Sequence, residues 1–545
     1  MTSARVIASG ASALCLLLAA ASALTGPLLA QPGGGVGQQF PRPAGGAGKG
    51  AGSGGAGSSA RRAAAGKAGA AGLDTVTLPS PSSPLVAIRL LFSVGSLHDP
   101  AGKEGLAALT AAMVGQGGTA KRSYSQLLEA LYPLAAGIDT QTDREVTVFS
   151  GIVHRDTLDT YTGLLEEALL TPSFADSDFS RNKEQLLAEL TNTLRGSNDE
   201  LLGLEALQQQ LFAGHPYGHA PAGTVASLKS ITLDDVRRFY KDHYTQANLL
   251  LGVAGGYPAG YVARLSRDLS ALPAGRSDRG ELPPAPPVHG RRITLIDKET
   301  ASVGIHFGYP LPITRKDADF YPLMVANSYL GEHRTFNGRL MVELRQARGL
   351  NYGDYSYIEY WAFPPFTSHP PPNVPRREQY FSVWVRPVVP ADAQFALRAA
   401  LYEVSLLHDK GLSQQDFDLT RNFLLNYSKL WVQDLSSRLG YQMDSRYYGM
   451  PTNFIDEIER RLKTMTVAEV NQAVKKYISP ESYDAVIVTA KAAELKELLQ
   501  KDEPSPKKYN SQVAPEVLEA DKTIVVWKVR PTAIEIIPVA QMFEK

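Results

Sequence analysis

The stretch Thr232-Leu-Asp-Asp-Val-Arg-Arg-Phe-Tyr240, followed by the apolar run Asn248-Leu-Leu-Leu-Gly-Val-Ala254, has a counterpart near the other end of the chain. There, Thr466-Val-Ala-Glu-Val-Asn-Gln-Ala-Val-Lys-Lys-Tyr477 precedes Tyr483-Asp-Ala-Val-Ile-Val-Thr-Ala490. In each copy a Thr stands three residues before an acidic residue, which predicts a helix start, and the apolar run predicts a buried strand. The helix starts lie 234 residues apart (232 and 466) and the strands 235 (248 and 483). Matching offsets in two independent elements indicate an internal duplication.

The segments before these copies alternate between strand and helix patterns in both halves. In the first half, branched and apolar runs predict strands, and helical spacing of Leu, Ala and charged residues predicts helices. These strands are 85–94 and 145–153, and the helices are 105–114, 158–170 and 180–194. In the second half, 302–308 predicts a strand and 321–330 a helix. The sequence therefore predicts an α+β fold of two structurally similar halves, each a mostly antiparallel sheet packed with helices.

Composition shifts divide the chain into domains and connections. The stretch Leu282-Pro-Pro-Ala-Pro-Pro287 is stiff and extended, which is typical of a link between domains. We therefore predict a first domain at 73–278, a Pro-rich linker at 279–290 and a second domain at 291–504. Residues 505–545 form a Pro-containing, strand-rich extension that the pattern does not assign to a separate domain.

The beginning of the chain has the pattern of an export signal. Arg5 is followed by an apolar stretch, and Leu28-Leu-Ala30 precedes Gln31, so residues 1–30 are predicted to be a secretory signal peptide cleaved after Ala30. An uncleaved membrane anchor is the alternative, because the apolar stretch is almost long enough to span a bilayer. Residues 31–72 are predicted to be a flexible linker, since 32–72 hold 15 Gly and 11 Ala and can bury little side chain.

Charge and cysteine content exclude several classes of protein. The 55 basic and 55 acidic residues give no net charge, which argues against a nucleic-acid binder. The only cysteine, Cys15, lies in the leader, so the remainder of the chain has no disulfide, no Cys-ligated metal and no thiol catalysis. No segment after the leader has 18 uninterrupted apolar residues, and no integral membrane segment is expected once the signal is cleaved.

Several stretches together carry a resemblance to a known family. In the first half they are Leu85-Val-Ala-Ile-Arg-Leu-Leu-Phe-Ser-Val-Gly-Ser96 with Gly105-Leu-Ala and Gly118-Thr119, Phe212-Ala-Gly-His-Pro-Tyr-Gly218 and Ile231-Thr-Leu-Asp-Asp-Val-Arg-Arg-Phe-Tyr240. In the second half the stretch is Gly338-Arg-Leu-Met-Val-Glu-Leu-Arg-Gln-Ala-Arg-Gly-Leu-Asn-Tyr352. In combination these stretches resemble the pitrilysin/insulinase family of zinc metallopeptidases, over about residues 75–500. The resemblance implies two peptidase-like domains.

The family's zinc motif is degenerate in this chain. That motif, H-x-x-E-H, places two His on one helix face to hold zinc, while the Glu activates the bound water. Here Ala108 and Ala112 stand at the His positions and Ala111 at the Glu position, and Glu189 matches a more distant Glu ligand. Methyl groups neither bind zinc nor accept a proton, and one carboxylate does not hold zinc alone. We therefore expect no metal and no cofactor on this chain.

A second set of family residues is retained in the other half. In active members an Arg and a Tyr, seven residues apart, bind the substrate carbonyl beside the zinc, and Arg345 and Tyr352 match these positions. The resemblance implies that they stabilise the transition state, since Arg and Tyr are suitable donors to an oxyanion. On spacing alone, a helix-surface charge and a strand-packing aromatic residue are the alternative.

The segment Ile138, Asp139, Thr140 and Gln141 lies in a region that forms a sheet edge in the family. The resemblance implies substrate binding there, because an extended peptide can add to such an edge as an extra strand without any zinc ligand. An exposed polar edge that protects against aggregation is the alternative.

The remaining motifs predict no other chemistry. His215 and His219 have helical metal-ligand spacing, but Pro216 and Gly218 favour a structural turn, which the family also has at this place. The other histidines are scattered and are interpreted as ordinary surface or core residues. Serine residues lack the G-x-S-x-G context of a nucleophile.

The resemblance leads to a functional hypothesis with one main rival. Some bacterial members are built from two chains, of which one carries the zinc motif and the other only the Arg/Tyr pair, and mitochondrial processing peptidase also has a non-catalytic subunit. We interpret this chain as such a non-catalytic, substrate-binding subunit of a zinc-dependent endopeptidase, inactive alone. Its expected partners are a zinc-bearing homologous subunit and a peptide or unfolded protein substrate. The rival is a non-enzymatic binding or assembly protein. The expected location is periplasmic or extracellular, with membrane anchoring if the signal is retained.

Overall fold

The computed structural model describes residues 73–361 and 368–545, which form two β-sheets covered by helices. The predicted signal peptide, 1–30, and the predicted linker, 31–72, lie outside the described residues. Within the described residues, no helix is both long enough and apolar enough to cross a membrane.

The first half contains five described strands and eight described α-helices. The strands are β1 Asp74–Pro79, β2 Leu85–Phe92, β3 Asp139–Thr142, β4 Thr147–His154 and β5 Leu249–Gly255. The helices are α1 Leu106–Gly115, α2 Tyr124–Leu131, α3 Leu158–Leu170, α4 Asp176–Ala188, α5 Asp199–Leu211, α6 Val225–Ser230, α7 Leu233–His243 and α8 Tyr261–Leu269. The predicted helix 180–194 corresponds to two consecutive segments in the structure. Helix α4 forms its first part, and the π-helical segment Glu189–Ser197 forms the rest.

The second half and the extension contain six described strands and eight described α-helices. The strands are β6 Arg291–Asp297, β7 Val303–Leu311, β8 Asp354–Tyr357, β9 Gln379–Val388, β10 Tyr483–Thr489 and β11 Ala533–Pro538. The helices are α9 Phe320–Gly331, α10 Ala393–Lys410, α11 Gln414–Leu430, α12 Leu435–Tyr447, α13 Phe454–Thr464, α14 Val467–Tyr477, α15 Ala492–Lys501 and α16 Pro515–Val525. A second π-helical segment is Met341–Gln346.

The two sheets repeat one topology, which confirms the duplication. The first sheet has the order β1-β5-β2-β4-β3, and the second has the order β6-β10-β7-β9-β8 with β11 added beside β6. In both, the first pair of this order is parallel (β1 with β5, β6 with β10) and the other three pairs that the sheets share are antiparallel, whereas the added β11 pairs with β6 in parallel. The capping residues Thr232 and Thr466 both accept a hydrogen bond from the backbone three residues on, as predicted. The predicted α+β fold of two similar halves is thus confirmed.

The extension 505–545 differs from the strand-rich segment that was predicted. It contains the helix α16 and the single strand β11, which pairs with β6 and so enlarges the second sheet. Beyond β11 the chain reaches the first half, where the N–H of Val225 donates to the carbonyl of Phe543 at 2.9 Å. The extension therefore contacts both halves.

The halves are joined by a reciprocal packing of helices on sheets. Helix α5 of the first half packs on β7 and β10, and α12 of the second half packs on β1, β2 and β5. Strand residues alternate between two cores: Ile88 and Leu90 enter the core of the first half, whereas Ala87 and Leu91 belong to a separate buried cluster that includes Met443 of α12. Each sheet consequently has both faces covered.

Buried ion pairs add charge complementarity to this interface. Arg376 and Arg377, in the segment before β9, pair with Asp143 and Glu145 of the β3–β4 turn, each at 2.6 Å. All four side chains come from the loops that connect neighbouring strands, so the pairs fix the edge of the first sheet against the second half.

Candidate functional site

Helix α1 carries the three positions at which the family has its zinc motif. Ala111 is buried in the core, and Ala108 and Ala112 are half-buried. The helix start is held by the carboxylate of Asp99, which accepts hydrogen bonds from the N–H groups of Gly105 and Ala107, both at 2.7 Å. The helix is thus firmly placed, but it presents only methyl groups at the three motif positions.

Glu189 stands where α4 passes into its π-helical segment. Helix α4 packs against α1, and the amide of Asn182 lies 3.5 Å from the sulfur of Met113. Glu189 is half-buried, and its side chain makes no hydrogen bond to another described residue, although its backbone N–H donates to the carbonyls of Gln185 and Leu186. Among the described residues, no group of three potential metal ligands includes Glu189. A lone carboxylate beside alanines supplies too few ligands for zinc.

The segment Ile138–Gln141 lies at the edge of the first sheet, as the resemblance implied. Strand β3 pairs with β4 on one side and with no other described strand on its other side. Asp139 and Gln141 are exposed, whereas Ile138 and Thr140 are half-buried. Helix α1 runs close beside the strand, because a Cβ atom at Gly115 would overlap the hydroxyl of Thr140. The edge strand therefore lies directly beside the helix that carries the degenerate zinc positions.

The structure brings Arg345 and Tyr352 together on the second half. Arg345 belongs to the π-helical segment Met341–Gln346, and its guanidinium lies 4.4 Å from the ring centroid of Tyr352. The Tyr352 side chain is 73% exposed. Within the described residues, no hydrogen bond or ion pair links these two side chains to Glu189 or to β3. They form a stacked cation–π pair whose phenol group faces solvent.

Both π-helical segments coincide with residues that the resemblance singled out. Of the described residues, only Glu189–Ser197 and Met341–Gln346 adopt this geometry, and they contain Glu189 and Arg345. Such segments are uncommon and frequently occur at functional sites. The sequence pattern alone did not predict them.

Sequence reasoning also missed an apolar groove next to Arg345. The groove has a volume of about 1160 Å³ and is lined by α9, the loop after it and α11. Phe336, Leu419 and Phe423 line it with large exposed apolar side chains, and the Arg345 guanidinium is 5.6 Å from the ring of Phe336. By strand and helix order, α9 and α11 are the counterparts of α1 and α4. The groove thus occupies, in the second half, the place that corresponds to the degenerate zinc centre.

His215 and His219 form structural contacts, in agreement with the predicted turn. The His215 ring lies 2.8 Å from the carbonyl of Pro283 through Nε2, and its Nδ1 accepts from the N–H of Tyr217 at 3.1 Å. His219 lies 3.2 Å from Asp99. The two imidazole rings contact different partners and do not form a common metal site.

Two other histidines, which were interpreted as scattered, lie close together. His98, His243 and Asp278 each offer a ligand atom, and these atoms lie within 4.8 Å of one another. It is the one such group among the residues that the structure describes. No short-range pattern connects these three positions, so only folding reveals their proximity.

Comparison with known proteins identifies relatives over most of the chain. Residues 75–225 match the sequence profile of Insulinase (Peptidase family M16), and residues 230–424 match that of the Peptidase M16 inactive domain. The non-peptidase homolog YmxG of Helicobacter pylori is 26% identical over 412 residues, which cover 75% of this chain and 90% of the relative. An uncharacterized zinc protease of Streptomyces coelicolor is 27% identical over 251 residues, or 45% of this chain and 54% of the relative.

Solved structures show the same fold at lower sequence identity. The peptidase M16 inactive domain from Pseudomonas fluorescens superposes with a TM-score of 0.66 at 22% identity, over 76% of this chain and 95% of that chain. The first half of the periplasmic protease PqqL from Escherichia coli gives a TM-score of 0.61 at 17% identity, over 83% and 95%.

Proposed function

The chain belongs to the insulinase (M16) family as an inactive-type peptidase homologue, and from that membership we propose that it is the non-catalytic, substrate-binding subunit of an exported zinc-dependent endopeptidase. The observation that carries the proposal is that one set of the family's functional residues is lost while the other is retained. Methyl groups occupy all three motif positions of α1, whereas Arg345 and Tyr352 are retained, adjacent and accessible.

In this proposal the partner subunit holds zinc and this chain supplies donors to its site. The zinc ion, when bound to the partner, would polarise the scissile carbonyl and activate a water molecule. The Tyr352 hydroxyl and the Arg345 guanidinium would donate hydrogen bonds to the oxyanion that develops in the transition state. The exposure of Tyr352 supports this role, because a donor to a second chain must be reachable from outside.

Two surfaces of this chain support substrate binding. The unpaired edge of β3 offers main-chain donors and acceptors to an extended peptide, which would add as a further strand. The groove beside Phe336 would accept apolar side chains of a peptide. Together these surfaces favour an extended or unfolded polypeptide as the substrate.

A second candidate function is a binding or assembly protein without any proteolytic role. The observation in its favour is the similarity to a protein described as a non-peptidase homolog, which covers 90% of that relative. The two proposals differ in one respect: only the first requires a zinc-bearing partner in the same compartment.

The test is steady-state cleavage by the chain and its partner. The partner is obtained by purifying the tagged chain from its native host and identifying the co-purifying protein by mass spectrometry. Tyr352→Phe removes only a hydroxyl, and Arg345→Lys keeps the charge but loses the planar donor fork. Each should lower kcat by about 100- to 1,000-fold with little change in KM, since an oxyanion donor acts mainly in the transition state.

Matched controls separate the loss of a transition-state donor from a loss of folding or of complex formation. Tyr132 is 77% exposed and lies on the first half, so Tyr132→Phe removes a comparable phenol hydroxyl elsewhere and should leave kcat unchanged. Complex formation is followed by gel filtration, and the zinc content of the complex should equal that of the wild type. Wild-type kcat in both Tyr352→Phe and Arg345→Lys would refute the subunit proposal and favour the binding protein.

A further inference from the structure

Three polar side chains from distant parts of the chain converge beside the connection between the halves. His98 ends the short helical turn Ser96–His98, His243 is the last residue of α7, and Asp278 lies between α8 and β6. Their ligand atoms lie within 4.8 Å of one another. We propose that His98, His243 and Asp278 bind a divalent transition-metal ion of the zinc type, at a site separate from the degenerate centre on α1.

The three side chains retain atoms with which to bind an ion. The ring nitrogens of His243 make no hydrogen bond to another described residue, and its ring packs against Phe239 with centroids 4.4 Å apart. Oδ1 of Asp278 accepts from the N–H of Gly280 at 2.9 Å, and Oδ2 has no partner among the described residues. The site therefore has a free imidazole and a free carboxylate oxygen.

The third side chain, His98, is held in place by weak contacts. Its Nδ1 lies 3.3 Å from the N–H of Gly95, and its Nε2 lies 3.3 Å from the backbone carbonyl of Asp278. Both distances are at the long end of the hydrogen-bond range, so neither nitrogen is committed to a strong bond. The rings of His98 and His243 are in edge contact, with centroids 5.2 Å apart.

The donor set identifies the class of ion. Two imidazoles and one carboxylate suit Zn²⁺, Co²⁺, Ni²⁺ or Cu²⁺, whereas Mg²⁺ and Ca²⁺ prefer oxygen ligands alone. Zinc–nitrogen bonds of about 2.1 Å place tetrahedral ligand atoms about 3.4 Å apart, so the three atoms must approach by at most about 1.4 Å. Asp278 is exposed and lies on a loop, and rotation of its side chain can supply this movement. A water molecule would complete the coordination.

The position of the group suggests what the ion would do. Directly after Asp278, the carbonyls of Arg279 and Gly280 accept hydrogen bonds from the guanidinium of Arg377, which belongs to the second half. An ion that ties Asp278 to His98 and His243 would fix this loop to the first half at the point where Arg377 holds it. Because the ion would bind only to the folded state, it would stabilise the joined halves.

The experiment measures metal binding by the full-length chain after treatment with a chelator. Equilibrium dialysis against ZnCl₂, with elemental analysis, should give one zinc per chain, and titration with CoCl₂ should give the visible absorption of tetrahedral cobalt. Added ZnCl₂ should raise the melting temperature. His243→Phe keeps the aromatic packing, and Asp278→Asn keeps the acceptor for Gly280. Each should weaken zinc binding at least about 10-fold, the loss typical even of residues outside the ligand shell.

Two further variants locate the bound ion. Glu189→Gln alters the degenerate centre, and His154→Phe removes a histidine from another surface His–Asp pair, His154 with Asp156. Both should bind zinc and cobalt as the wild type does. Zinc binding that is lost in Glu189→Gln, that survives in Asp278→Asn, or that is absent from the wild type would overturn the proposal. None of these outcomes depends on proteolytic activity, so the proposed subunit function is tested separately.

Discussion

The buried ion pair between Arg376 and Asp143 allows a quantitative test of how the halves are held together. The Arg376 side chain is only 1% exposed and that of Asp143 only 5%. The guanidinium donates to both carboxylate oxygens, at 2.7 and 2.6 Å, and to the amide oxygen of Gln208 at 2.7 Å. One face of the guanidinium stacks on Tyr360, with its central carbon 3.3 Å from the ring centroid. Burial disfavours the charge, but Asp143 outweighs that effect and raises the pKa of Arg376.

The substitution Asp143→Asn removes the negative charge without changing the shape of the side chain. One of the two carboxylate acceptors becomes an NH₂ group that faces the guanidinium, and the buried positive charge loses its counterion. Breaking a buried pair in this way typically costs about 3 to 5 kcal/mol. We expect the free energy of unfolding to fall by that amount.

A second ion pair across the same interface provides the control. Arg386 of β9 and Glu200 of α5 lie 2.8 Å apart, but their side chains are 31% and 27% exposed. Water screens this pair, so Glu200→Gln should cost no more than about 1 kcal/mol. The two substitutions remove the same charge from the same interface and differ mainly in burial.

The assay is urea unfolding followed by tryptophan fluorescence and by circular dichroism. The midpoint should fall several times further in Asp143→Asn than in Glu200→Gln, with similar slopes. Replacing both partners, in Asp143→Leu with Arg376→Met, should recover part of the loss because no charge is left unpaired. Equal midpoints for Asp143→Asn and Glu200→Gln would refute the reasoning that burial decides the strength of this contact.

Three further predictions concern the degenerate centre, the beginning of the chain and a buried carboxyl group. The chain alone should cleave no peptide in a peptidase assay, because the motif positions of α1 carry only methyl groups. For the same reason Glu189→Gln should have the same zinc content as the wild type, which elemental analysis checks. We expect the chain to be exported and its mature form to begin near Gln31, as determined by N-terminal sequencing, whereas a chain that still begins near Met1 and needs detergent for extraction would indicate an anchor. Burial raises the pKa of Glu332 from 4.5 to about 7, so the folded state holds a proton that the unfolded state releases, and stability falls as the pH rises through that window. Glu332→Gln should therefore stabilise the protein at pH 8 relative to the wild type, by on the order of 3 kcal/mol, and not at pH 4; an equal effect in urea unfolding at both pH values would contradict this.

Much of the site could be predicted because it depends on residues close together in the chain. Arg345 and Tyr352 are seven residues apart, and the turn between them brings their side chains within 4.4 Å. The edge strand β3 includes Asp139, Thr140 and Gln141, and Ile138 directly precedes it. The catalytic and substrate-binding roles of these residues remain predictions, since they involve a second chain and a bound peptide.

The sequence by itself determined the local structure of several elements and, through their matching offsets, the duplication of the fold. Helix starts such as Thr232 and Thr466 are set by hydrogen bonds that span three residues, and the strands are set by runs of branched apolar side chains. The tertiary structure alone decided which distant residues meet. It placed β11 beside β6, formed the groove between α9 and α11, and brought His98, His243 and Asp278 to one point. These contacts join residues far apart in the chain, and their geometry follows from the packing of whole helices and sheets, which no short stretch of sequence encodes.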